Sequence, residues 1–88
     1  MKYNELMQNI RENNISPSLF SVNQGLKPNA YILIKNYDKW EYFYLDEKGN
    51  RFDNMVFSDS EKAFDFFWQK LLVENMYPPS IPPKSVGI

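Results

Sequence analysis

Neither histidine nor cysteine occurs anywhere in the 88 residues, and glycine occurs only three times. Histidine and cysteine are the side chains whose ordinary pKa values lie nearest neutrality, and they furnish most zinc and soft-metal ligands. Their absence closes most hydrolytic and redox mechanisms and rules out disulfide staples. The scattered Gly25, Gly49 and Gly87 provide no phosphate-cradling loop. Charge of one sign is also scarce in excess: ten basic and eleven acidic residues leave a net −1, which gives no electrostatic footprint for nucleic acid or anionic membrane. No run approaches the ~20 apolar residues of a membrane-spanning helix. Met1-Lys2 leads into a polar stretch rather than the apolar core of a secretory signal. The expectation is a cytoplasmic protein, and the lack of cysteine fits a reducing compartment.

What is present in quantity is aromatic side chain. Aromatic residues make up 17% of the chain, and Tyr31, Tyr37, Trp40, Tyr42, Phe43, Tyr44, Phe52 and Phe57 crowd its middle. Each ring buries ~150–250 Å², at roughly 25 cal/mol per Å², so rings must supply much of the core of so short a chain. The same middle is acidic. Asp38, Glu41, Asp46, Glu47, Asp53, Asp59, Glu61 and Asp65 stand against Lys39, Lys48, Arg51 and Lys62, a local net of −4. One domain is expected, because a split would leave pieces too small to bury a core.

Tyr3, Leu6, Met7 and Ile10 stand at i, i+3, i+4 and i+7 with polar residues between, which predicts a short amphipathic helix ending at Asn13-Asn14. Pro17 breaks the pattern. Leu19 to Val22 reads as a short edge strand ahead of the turn-rich Asn23 to Asn29. Ala30–Lys35 and Trp40–Leu45 are dense in β-branched and aromatic residues and predict a hairpin; a turn at Asp46–Asn50 leads to a further strand, Phe52–Phe57. Ser58 and Glu61 have capping-box spacing, so a helix should begin just after Ser58 and run to about Asn75, burying Phe64, Phe67, Trp68, Leu71 and Leu72. Four prolines between Pro78 and Pro83 forbid a helix there. The fold class expected is therefore α+β: an N-terminal helix, an antiparallel three- to four-stranded sheet and a C-terminal helix within residues 1–77, then an extended Pro-rich tail, 78–88. Tyr77 and Ile81 are expected to pack against the domain; Pro79-Ser80-Ile81-Pro82 also matches the P-x-x-P pattern of polyproline ligands.

Period-2 alternation sorts the hairpin into Ile32, Ile34, Phe43 and Leu45 on one face and Tyr31, Leu33, Lys35, Trp40, Tyr42 and Tyr44 on the other. The first face is expected to be core. If both helices cover it, the second presents rings on a rigid platform, the composition favoured at protein interfaces; one helix on each face would make those rings ordinary core. On the first arrangement the candidate partner-binding residues are Trp40, Tyr42 and Tyr44 with Asp38, Glu41, Asp46, Glu47 and Asp53 around them. Glu41 and Asp53 on adjacent strands have the residue types of a glycosidase pair, but no cleft-forming second domain is expected, and no enzyme activity is expected. Asp46 to Asn50 lacks the ligand pattern of a calcium loop, so no metal or other cofactor is expected. Base stacking on the aromatics, as in RNA-binding modules, is opposed by the interleaved acids, and neither nucleic acid nor membrane is expected as a partner.

The succession of a helix, Leu19-Phe20-Ser21-Val22, the element from Gly25 to Ala30-Tyr31, the strand Lys39-Trp40-Glu41-Tyr42-Phe43-Tyr44 and the helix opening Phe57-Ser58-Asp59-Ser60-Glu61-Lys62-Ala63 resembles small bacterial immunity proteins encoded beside polymorphic or contact-dependent toxins. The resemblance covers about residues 15–72. It implies a protein that neutralises a cognate toxin by tight one-to-one binding and carries no fixed contact motif. An acidic, aromatic middle would suit a basic toxin such as a nuclease. The alternative from another class is a small regulatory or adaptor domain, with a homodimer possible through the aromatic faces.

Overall fold

The computed structural model describes residues 1–76, with side chains through Val73. Helix α1 (Tyr3–Glu12) opens with the Glu5 carboxylate accepting a hydrogen bond from the Lys2 backbone N–H at 3.4 Å. It buries Leu6 and Ile10 and ends where Asn14 turns left-handed at φ 54°. A 3₁₀ turn at Pro17–Leu19 feeds strand β1 (Phe20–Val22). Strands β2 (Ala30–Asn36), β3 (Lys39–Leu45) and β4 (Arg51–Phe57) follow, and helix α2 (Ser60–Met76) closes the described chain. The helix–strand–helix order is as the periodicities predict. The expected tail, with Tyr77 and Ile81, lies outside the described residues.

The four strands lie in sequence order, β1-β2-β3-β4, in a mixed sheet. β2 and β3 pair antiparallel, Ile32 opposite Phe43 and Lys35 opposite Trp40, and β3 pairs antiparallel with β4. β1, however, runs parallel to β2, with Phe20 opposite Tyr31 and Val22 opposite Leu33. That corrects the expectation of an antiparallel sheet. Parallel pairs ordinarily need a crossover of a dozen or more residues, but β1 is three residues long, so the connection 23–29 needs to run back only about 10 Å. Left-handed turns at Asn23, Gly25 and Asn29 fold it. Asn23 extends the ladder beyond β1: its N–H donates to Leu33 O at 2.8 Å, and its Oδ1 accepts from the Lys35 N–H at 3.3 Å.

Both helices pack on one face of the sheet, and it is the Tyr/Trp face. Leu33, Trp40 and Tyr42 join Leu6, Ile10, Phe64, Phe67, Trp68 and Leu71 in one core cluster. Ring contacts tie the layers: Trp40 meets Phe64 at 5.0 Å, and Tyr42 meets Phe66 at 5.0 Å and Phe67 at 6.1 Å. On the flank of α2, half-buried Phe66 wedges between Tyr42 and Phe57, while Val73 stays exposed. On the opposite face Ala30, Ile32, Phe43 and Leu45 form a smaller buried cluster, with half-buried Ile34 beside it. The Arg51 guanidinium lies 4.3 Å from the Phe43 ring centroid, a cation–π contact. Ser21, on the same face as Ile32, donates to Gly25 O at 2.7 Å and ties the β1–β2 loop down at that edge.

The start of α2 is one residue later than capping-box spacing suggests. Asp59, not Ser58, is the cap: its Oδ1 accepts from the Glu61 N–H at 2.9 Å and its carbonyl from the Ala63 N–H at 3.1 Å.

Candidate functional site

The expected aromatic platform is not a surface. Tyr42 is 0% and Trp40 9% exposed, both beneath the helices, and Tyr44 is half-buried with its ring 5.0 Å from Tyr31. Tyr42 therefore has no open area, and Trp40 very little, to offer a partner. The cause is that both hairpin faces are apolar enough to be core, and the helices took the one with the larger rings.

The expected acids divide differently. Asp38 is exposed at the β2–β3 turn, beside Lys39 at 3.9 Å. Glu41 is half-buried on β3 opposite Val56, Glu47 is exposed in the β3–β4 turn, and Asp53 is exposed on β4. Among the described residues, Glu41, Glu47 and Asp53 make no ion pair. Asp46 has an internal task. Its Oδ1 accepts from the backbone N–H groups of Asn50 at 2.7 Å and Lys48 at 2.9 Å, and its Oδ2 from the Asn50 side chain at 3.2 Å. Desolvation pushes the Asp46 pKa up, but the hydrogen bonds from Asn50, Lys48 and Gly49 outweigh it and hold the carboxyl below its ordinary value. Glu61 and Asp65 are likewise occupied: Lys2 Nζ lies 3.3 Å from Glu61, and the Met1 amine lies 3.0 Å from Asp65. The uncommitted acidity is thereby concentrated at the β3–β4 side of the molecule.

That side also carries apolar surface. β4 is an edge strand exposed almost throughout, with Phe52 at 48%, Met55 at 43% and Val56 at 54% exposure, and Tyr37 in the neighbouring turn stands at 93%. Phe52 is opposite Tyr44 and Met55 opposite Tyr42, which puts both on the helix-covered face at its rim; Val56, opposite Glu41, is on the other. Between them the register shifts by one residue, and Asp53 takes φ 57°. Asp53 and Asn54 together face Phe43, forming a β-bulge that Asp accommodates because its short polar side chain tolerates the left-handed region. Tyr37 tolerates that region far less well, yet holds φ 59° as the first residue of a two-residue hairpin turn.

Sequence reasoning thus singled out the acids that lie along this side and not the exposed apolar side chains Tyr37, Phe52, Met55 and Val56 beside them. The available signal was in β4 itself: Arg51, Asp53 and Asn54 interrupt any clean alternation, as in a strand with neither face fully buried.

An open depression of about 410 Å³ lies elsewhere, between the end of α1 and the 3₁₀ turn, lined by Met7, Ile10, Arg11, Ile15, Pro17 and Phe20. Arg11 is its one charged side chain, so it offers no acid–base pair. No group of three or more metal-ligating side chains occurs among the described residues, and no described helix is long and apolar enough to cross a membrane. No family model matches the sequence, and neither curated proteins nor solved structures give a match.

Proposed function

We propose that this chain is an immunity-type inhibitor: it binds a basic bacterial toxin domain, such as a nuclease, one to one and blocks it without chemistry of its own. The observation that carries the reading is the β4 edge, where Phe52, Met55 and Val56 stand exposed beside Glu41, Glu47 and Asp53. Exposed apolar side chains ringed by charge are the anatomy of a protein interface, with desolvated anchors slowing release and rim charges speeding encounter. The sequence resemblance over residues 15–72 supports the toxin as the class of partner. The residue inventory supports binding over catalysis, because no histidine or cysteine is present to serve as nucleophile or base.

The adaptor reading shares the surface and differs in what is encoded nearby. Co-expression with the toxin domain of a neighbouring reading frame tests the proposal: growth should be restored, and the two chains should purify as a one-to-one complex. Unrelieved toxicity, with both chains folded and no complex formed, would contradict it.

A further inference from the structure

The two edges of the sheet are unequally protected. Native proteins blunt sheet edges by shortness, by charge or by bulges, because an open edge is a template for another strand. β1 has only three residues and follows directly on the 3₁₀ turn. The first half of β4 has both remaining devices, the charges of Arg51 and Asp53 and the bulge at Asp53. Asn54, the second residue of that bulge, is uncharged, and Met55-Val56-Phe57 beyond it has none of these devices: no charge, no proline and no bulge. Among the described residues no strand pairs with its outer side.

Resting on the reading of this edge as a partner-binding surface, we propose that residues 54–57 take an extended segment of the partner as a fifth strand. Charge identifies the segment. From Asp38 to Asp53 five acids face three bases, Lys39, Lys48 and Arg51, a net −2, so a second copy of this chain would set like charge against like. A basic segment is attracted instead. The strand alternation makes the match more specific: toward the helix-covered face the guest meets Phe52 and Met55 and should be apolar. Toward the other face it meets Val56 with Glu41 behind it and Asp53 at the bulge, and should carry Lys or Arg.

The test uses the isotopically labelled full chain and three synthetic peptides of about eight residues, a strand's ordinary length: alternating Val-Lys, alternating Val-Glu, and Val-Lys with a central proline. The Val-Lys peptide should shift the backbone amides of Asn54 to Phe57, show cross-strand contacts there, and bind ~10-fold or more tighter than Val-Glu at low salt. Proline, lacking the ladder N–H, should abolish the shifts. The double variant Glu41→Gln, Asp53→Asn, which keeps both side-chain shapes, should weaken Val-Lys binding ~3–10-fold at low salt and little at high salt. Equal binding of Val-Glu, or shifts centred on the depression beside Phe20, would overturn the proposal. So would concentration-dependent dimerisation through β4, or binding seen only after removal of residues 77–88, since the occupant would then be a second copy or the chain's own C-terminal segment. Growth protection without peptide binding would overturn the added strand alone. Failure of protection as well would remove the reading on which it rests.

Discussion

Tyr42 shows how burial is decided at the scale of one side chain. Its hydroxyl favours a wet edge, but its ring lies among Tyr31, Phe66 and Phe67 with no exposed surface. The apolar area of a ring, at roughly 25 cal/mol per Å², outweighs that preference. Tyr42→Ala should therefore cost ~3–5 kcal/mol, on a par with Phe67→Ala, and urea midpoints of the two variants check it. Tyr37 is the opposite case: it is exposed, packs against nothing that its loss would open, and holds a left-handed backbone that costs an L-residue about 1–2 kcal/mol. Tyr37→Asn should raise stability by ~0.5–1 kcal/mol, since asparagine enters that region more readily. If Tyr37 anchors the partner, the same change should accelerate dissociation. Asp46 yields a pH dependence. Because its folded pKa is depressed, its contribution is present above the unfolded value near ~3.9 and is lost as pH falls through the folded value. The stability difference between the wild type and Asp46→Ala should shrink over that acid window, measured by denaturation at stepped pH, while a constant difference would contradict the hydrogen-bonding account.

At the scale of elements, the hairpin and both helices were legible because their signals are local: dense β-branched and aromatic runs about a short turn, and apolar residues at helical spacing. What the helices cover was not legible. Ile32-Phe43 and Leu33-Tyr42 are equally plausible core pairs, and alternation sorts residues into faces without naming the face that receives a helix. The parallel pairing of β1 was hidden for a related reason, since a seven-residue, turn-rich connection reads like a hairpin loop unless the direction of re-entry is known. Edge position is also non-local: the alternation broken by Arg51, Asp53 and Asn54 hints that neither face of β4 is fully buried, but which of Phe52, Met55 and Val56 stand exposed depends on the strand having no outer neighbour. A consequence belongs to this scale: Met55→Lys with Val56→Lys should leave stability within about 1 kcal/mol, because both positions are already solvated, yet should weaken partner binding by ~30-fold or more.

For the whole molecule, the division of charge matters more than its sum. α1 and α2 are joined by Lys2–Glu61 and by the Met1 amine with Asp65, which spends acidity on holding the two helices together. Glu41, Glu47 and Asp53 are left at the far edge, next to the exposed apolar side chains. The helix layer is a ring-packed support, and on the proposed reading the β4 edge makes the contact, which would place stability and binding in different residues. The measurement that separates them most directly is the dissociation rate of the complex with the cognate toxin domain for the folded Met55→Lys, Val56→Lys variant. This account predicts a rise of at least ~30-fold, equivalent to about 2 kcal/mol of lost anchoring. Dissociation as slow as that of the wild type, with the variant's fold intact, would contradict the assignment of β4 as the binding edge.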